Sequence, residues 1–186
     1  SSRLDGVQPP RRLERDAAFG PNDEETRRAA FNNITVDPAV FPEAKLIFID
    51  HETRDVLWQP HLMSHPNGAV SITEVALCVE DVGETCDKLG KLFDINSKEA
   101  MPGIHAFTLP HGNVYVLTPD GLNAWTPGIE PPAVPFVAAV GFGVKDLDAT
   151  KKLLDSSAVP YNAHKYPAIW IAPEHTCGPV VSFIQT

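Results

Sequence analysis

The chain has 186 residues, 43% of them hydrophobic, and a formal net charge of -9 at pH 7. This length holds one sizeable domain or two small ones, and the apolar content is ordinary for a packed core. The charge argues against nucleic acid as a partner, because phosphate contacts need clustered Lys and Arg. No apolar run approaches the roughly 18 residues that span a bilayer, so no membrane partner is expected.

In the N-terminal third of the chain, the sequence pattern predicts strands without an accompanying helix. Residues 25–37 and 44–52 are two predicted strands joined by a Pro-containing turn, and a third is predicted in residues 11–19. No strand-plus-helix unit precedes them. We therefore interpret residues 1–68 as the final strands of a partial module, followed by a linker.

Residues 48–75 place three histidines, a tryptophan and an Asn-Gly pair between two apolar segments. The Asn67-Gly68 pair predicts a turn, because these residues tolerate the positive φ angles that tight turns need. The segment thus comprises the exit strand of one module, a linker with a turn, and the entry strand of the next.

The rest of the chain contains an internal repeat with an offset of 65 positions. Residues 75–89 align with residues 140–154, so that Asp81 matches Asp146. Each copy starts with alternating apolar residues, typical of a strand, and continues with apolar residues at helical spacing. The shared Asp predicts the helix N-cap, because its carboxylate accepts a hydrogen bond from an unpaired backbone N–H.

Both copies then continue with a strand, a turn containing Pro, His and Gly, and another strand, in residues 106–117 and 168–184. The predicted fold class is therefore α+β, with tandem βαβββ modules. Two modules are complete, at 69–124 and 136–186, and one is partial. The connection at 118–135 is rich in Pro and Gly, so we expect an extended crossing rather than a helix or strand.

This pattern resembles the vicinal oxygen chelate superfamily, which includes glyoxalases and extradiol dioxygenases. Within it, the chain is similar to the glyoxalase-like domain proteins. The likeness is carried by the βαβββ repeat, by a closing segment at 142–161, and by a group of residues after the partial module: His51, Glu52, Thr53, Trp58, Pro60 and the HPNGA run at 65–69.

The resemblance implies a divalent metal held by His or Glu on the first and last strands of each module. In the complete modules the first-strand positions are Glu74 and Ala139, and the last-strand positions are Val116 and Ser182. One candidate ligand in four positions does not make a metal site. We therefore expect the two complete modules to be metal-free.

His51 ends the last strand of the partial module, where the superfamily tends to place a ligand. It is the predicted catalytic residue and metal ligand; the alternative is a histidine that orders the strand exit. Trp58 and His65 are predicted to bind substrate, with a structural anchor and a turn residue as their alternatives. Within this chain only His65 and Glu74 are candidates to complete a site with His51, so no stoichiometric metal is expected there.

Three functions stay open at this point. The first is a metal-assisted lyase, isomerase or dioxygenase acting on a small oxygenated organic molecule. The second is a metal-free protein of the same fold that binds or sequesters a small molecule. The third is a structural half of a larger enzyme. Because the partial module leaves a strand edge without a partner, we also expect a homodimer or association with a missing N-terminal part.

The three cysteines, Cys78, Cys86 and Cys177, are an odd number at unrelated spacings. This pattern favours free thiols and a reducing compartment. With no visible signal peptide, a cytoplasmic location is predicted.

Overall fold

A computed structural model describes residues 4–186 of the chain. The described residues form two compact units, residues 4–65 and residues 66–186. No helix in this described part is long and apolar enough to cross a membrane.

The first unit is a three-stranded antiparallel sheet in the order β1-β2-β3. It is followed by a short helix, α1, and a 3-10 turn at Pro60–Leu62. The bounds of these elements are β1 Arg11–Phe19, β2 Glu25–Thr35, β3 Ile47–His51 and α1 Arg54–Leu57.

One hydrophobic cluster of the first unit consists of Ala17, Ala29 and Val56, with Leu57 packed against them, and Val36 and Phe41 are buried elsewhere in this unit. The buried Gln59 side chain ties the end of α1 to the β1–β2 hairpin. Its amide donates to the Ala18 carbonyl at 3.0 Å and its oxygen accepts from the Gly20 N–H at 2.8 Å. These bonds satisfy a buried amide that would otherwise be costly.

The second unit contains an eight-stranded sheet in the order β5-β6-β7-β4-β8-β11-β10-β9. Its strands are β4 Ala69–Cys78, β5 Lys98–Met101, β6 Ile104–Leu109, β7 Gly112–Leu117, β8 Phe136–Val144, β9 Asn162–Ala163, β10 Ala168–Ile171 and β11 Val180–Gln185. Its helices are α2 Val82–Phe93, α3 Pro119–Trp125 and α4 Leu147–Ser156. The predicted α+β fold of tandem βαβββ modules is confirmed.

Each module closes on itself in the same way. Its last strand pairs in parallel with its first, β7 with β4 and β11 with β8. The two first strands, β4 and β8, pair antiparallel at the centre of the sheet. This arrangement brings residues of both modules together around the β4–β8 pair.

The helix start signals act as the sequence predicts. Asp81 Oδ1 accepts from the Glu84 N–H at 2.8 Å, and Asp146 Oδ1 accepts from the Ala149 N–H at 2.9 Å. In the turn before β4, Asn67 Oδ1 accepts from the Ala69 N–H at 3.1 Å. The positive φ of 75° at Gly68 suits a residue without a Cβ.

The connection between the modules differs from the expected extended crossing, because it contains helix α3. Thr118 Oγ1 accepts from the Gly121 N–H at 3.0 Å, and Pro119 occupies the first turn. A Thr cap followed by Pro is a helix start signal in its own right. The helix is retained because it buries Leu122, which is only 1% exposed, in the sheet core.

The two faces of the eight-stranded sheet are covered differently. One packs against α4 through a cluster that includes Val144, Leu154 and Phe183, and against α2 through β6 and β7. The opposite face carries a second cluster that includes Ala76, Leu117 and Leu122 of α3. The candidate site lies on this opposite face.

The cysteines are unpaired in the described part of the chain. Burial raises the pKa of the Cys78 thiol to about 11 and also raises that of Cys86. Both groups are thus protonated at neutral pH, which makes them poor nucleophiles. The cytoplasmic location stays a prediction.

Candidate functional site

A cavity of about 370 Å³ lies in the second unit and is lined from both modules and α3. Its volume is in the range of small-molecule sites. The lining residues are Thr73 and Glu74 of β4, Ala100 and Met101 of β5, Ile104 of β6, Asn113 and Tyr115 of β7, Trp125 of α3, Tyr166 of the β9–β10 loop and Ile184 of β11.

The polar centre of this cavity is the carboxyl group of Glu74. The residue is only 6% exposed, and its Oε1 has no hydrogen-bond partner in the described part of the chain. Burial raises the pKa of Glu74 to about 7. Burying a carboxyl group with an unpaired oxygen lowers the stability of the protein. Buried ionisable groups with a shifted pKa are typical of functional sites.

Gly141 of β8 makes room for this carboxyl. It lies opposite Glu74 in the antiparallel β4–β8 pair. A Cβ at position 141 would lie 2.8 Å from both Cδ and Oε1 of Glu74, closer than non-bonded atoms allow. The side chain of Glu74 thus lies directly over a backbone that lacks a side chain of its own.

Aromatic rings form the walls of the cavity. The rings of Tyr115 and Trp125 lie 5.0 Å apart between centroids, and Tyr166 lines the same cavity. Tyr166 stacks on the imidazole of His164 at 4.7 Å. Burial is the main cause of the raised pKa of Tyr115 and Tyr166, and the charge of Glu74 adds to both. The phenols are therefore neutral donors at physiological pH.

Two further buried polar groups of the second unit lack partners in the described residues. Thr73 Oγ1, which lines the cavity, and His164 Nε2, behind Tyr166, are both buried without a hydrogen bond in the described residues. Buried polar atoms are usually paired, so unpaired ones beside a cavity are typical of a site that takes a polar ligand. A second depression, of about 560 Å³ at the end of α2, has no such unpaired atom among its lining residues.

The cavity does not have the donor set of a metal site. Glu74 is its sole carboxylate, and no His or Cys lines it. Zinc and the first-row transition metals of enzyme sites are typically held by three or more strong protein donors, and one carboxylate beside an amide and two phenols falls short of that set. Throughout residues 4–186, no group of three or more His, Cys, Asp or Glu has a geometry that would hold a metal ion.

The structure brings together two of the three site residues predicted from the sequence. His51 ends β3, and its ring lies 5.2 Å from Trp58 and 5.9 Å from Phe31 between centroids. Its Nδ1 is buried and unpaired within the described region. The third residue, His65, is exposed in the linker. The roles proposed for these residues stay predictions.

Glu52, the acidic residue next to His51, forms hydrogen bonds with two other side chains. Glu52 accepts hydrogen bonds from Arg12 at 3.0 Å and from the Asn32 side chain at 2.9 Å. Glu52 is also exposed. Strand alternation predicts this, because the residue after His51 points to the opposite face of the strand.

Sequence reasoning identified Glu74 as a first-strand position but missed the rings around it. Trp125 lies in the segment that was expected to be extended, and Tyr166 lies in a loop without a pattern. A usable signal was the Gly-Phe-Gly run at 141–143, because a glycine inside a predicted strand marks a close approach of another group.

No protein-family model matches the chain, and no curated protein matches it by sequence. Among solved structures it is similar to methylmalonyl-CoA epimerase from Mycobacterium tuberculosis, with 15% identity and a TM-score of 0.50, over 66% of this chain and 92% of that one. It is also similar to a hypothetical protein from Staphylococcus aureus, with 14% identity and a TM-score of 0.61. That match covers 97% of this chain and 57% of the other. Both likenesses concern the fold alone.

Proposed function

We propose that this protein binds a small organic molecule in the Glu74 cavity without the help of a metal. Of the three functions that the sequence left open, this is the metal-free binding or sequestering protein. The observation that carries it is Glu74, a residue that is 94% buried in an aromatic cavity and whose Oε1 has no hydrogen-bond partner in the described residues. A ligand with a polar group would satisfy that carboxyl and cover the rings, which is the usual composition of a small-molecule site.

Four of the lining residues have distinct roles in this proposal. Glu74 orients the polar group of the ligand, and Tyr115 and Trp125 cover its apolar body. Tyr166, which is 43% exposed, lies at the rim and stacks there on His164. The membership of the glyoxalase-like branch remains part of the proposal and rests on the HPNGA run and the fold.

The metal-assisted lyase, isomerase or dioxygenase is the second candidate, and one observation favours it. The buried, unpaired Nδ1 of His51 beside Trp58 is the kind of group that a ligand or an ion would satisfy. The residues around it are aromatic, however, and supply no second strong donor to a metal. Under this alternative His51 is the catalytic residue and Trp58 and His65 contact the substrate.

The binding proposal is tested with a library of small aromatic fragments, measured by ligand-observed NMR with and without EDTA. We expect fragments that bind equally well in both conditions, because no metal takes part. Trp125→Ala should weaken their binding at least about tenfold, the scale of a buried ring contact. Trp58→Ala, a change of an exposed ring in the first unit, is the matched control and should leave binding unchanged.

Elemental analysis of protein purified without chelator completes this test, and no near-equimolar divalent metal is expected. Near-equimolar iron, manganese, nickel or zinc that disappears in His51→Ala would overturn the proposal and favour the enzyme. Fragment binding that is lost in Trp58→Ala but kept in Trp125→Ala would place the site at His51 instead.

A further inference from the structure

We infer that the ligand of the Glu74 cavity is an organic cation, a positively charged nitrogen on a compact apolar body. This inference rests on the proposed binding function and adds the chemical class of the ligand. Its grounds are the charges and the rings that face the cavity.

The lining residues carry no positive charge that could pair with Glu74. They include no Lys, Arg or His. The titratable groups that face Glu74 are the phenols of Tyr115 on β7 and Tyr166 in the β9–β10 loop. His164 lies behind Tyr166, and burial lowers its pKa, so it is neutral. The position for a countercharge to Glu74 is therefore left to the ligand.

An anionic ligand does not fit these surroundings. A carboxylate or phosphate would lie near an acidic group and two phenols, with no cation to balance it. Removing such a charge from water without a partner is costly. A neutral ligand could donate to ionised Glu74 or accept from its protonated form, but it would leave the buried charge without a countercharge and the electron-rich rings without a cation.

The rings fit a cation because an aromatic face is negative at its centre. Trp125 is the strongest of the three as a cation–π partner, and Tyr115 lies 5.0 Å from it between centroids. A carboxylate surrounded by such rings is the arrangement that recognises ammonium groups in water-poor sites. The cavity volume of about 370 Å³ is large enough for an ammonium group on a small ring.

The test compares two probes that differ in one atom, phenyltrimethylammonium and tert-butylbenzene. Their binding to the full chain is measured by ligand-observed NMR at pH 8, above the pKa of about 7 that burial gives Glu74. We expect the cation to bind at least about tenfold more tightly than its neutral isostere, on the scale of a desolvated cation–π contact with a charge partner.

Glu74→Gln keeps the shape of the side chain and removes the charge. It should weaken binding of the cation at least about tenfold and change binding of tert-butylbenzene less than about twofold. Glu99→Gln removes an exposed carboxylate on β5 and is the matched control, with no expected effect.

The outcomes separate the two proposals. Equal binding of both probes, or a Glu74→Gln variant that binds the cation unchanged, overturns the organic cation while the binding function stands. Tighter binding of tert-butylbenzene, or of benzoate as an anionic probe, has the same consequence. Failure of these probes and of the whole fragment library would overturn the binding function as well.

Discussion

At the scale of single residues, Glu74 and Gly141 form the unusual feature of this protein. The carboxyl group of Glu74 is buried with its Oε1 unpaired in the described residues, and the facing strand has a glycine where any side chain would collide with it. Both choices reduce stability, because burial without pairing and a glycine inside a strand each cost free energy. Such local conflicts with the fold are expected at functional sites.

The raised pKa of Glu74 makes stability depend on pH in a defined direction. The folded protein holds the proton up to about pH 7, whereas the unfolded chain loses it near 4.5. Between these values the folded state binds more protons, so the free energy of unfolding falls as pH rises. Glu74→Gln removes this loss and should be more stable than the wild type by about 3 kcal/mol at pH 8, with the difference vanishing towards pH 4.5.

Urea denaturation at a series of pH values measures this difference. Glu99→Gln, which changes an exposed carboxylate, is the control and should follow the wild-type curve. Parallel curves for Glu74→Gln and the wild type across pH 4.5–8 would show that the carboxyl is not desolvated in the folded protein.

At the scale of elements, the repeated strand–helix unit depends on its caps. Asp81 and Asp146 occupy the same place in the two modules and make the same bond to the third residue of the helix that follows. Asp81→Ala and Asp146→Ala should each lower the free energy of unfolding by about 1 kcal/mol, measured by urea denaturation, because each leaves a helix N–H without its acceptor.

Asp87→Ala is the matched control, because Asp87 lies on the exposed face of α2, away from its first turn. It should cost less than about 0.5 kcal/mol. A loss for Asp87→Ala as large as that for Asp81→Ala would mean that general charge, and not the cap, stabilises the helix.

At the scale of the whole molecule, the outer edge of β3 is the feature that bears on assembly. In both complete modules the last strand is covered by a parallel first strand, but β3 pairs only with β2 in the described structure. Ile47, Phe48 and Ile49 are 39–48% exposed along this edge. An open apolar edge strand tends to pair with another chain.

We therefore expect a homodimer, or association with a further polypeptide, in sedimentation at tens of micromolar. A lysine on an edge strand opposes such pairing, so Ile49→Lys should shift the protein towards the monomer. Leu62→Lys, an equally exposed apolar residue in the 3-10 turn, is the control and should not change the assembly state. A wild-type monomer without a co-purifying chain would contradict this expectation.

Much of the fold was predictable because its signals are local. The alternating apolar residues of β4 and β8, the Asp caps and the Asn67-Gly68 turn act over a few neighbours. The prediction failed at α3, where composition was given more weight than the Thr118-Pro119 start signal. That helix depends on the burial of Leu122 against the sheet, a contact that no local pattern reports.

The sequence by itself determined the repeat, the strand and helix that open each complete module, and the βαβββ fold class, because hydrophobic periodicity and capping are short-range effects. It also identified Glu74 as a strand position and His51 as the end of another strand. Only the tertiary structure decided that Glu74 is buried, unpaired and ringed by Tyr115, Trp125 and Tyr166. Those residues are brought together by antiparallel pairing of β4 with β8 and by packing of α3, and the cost of burying a charge depends on such distant neighbours.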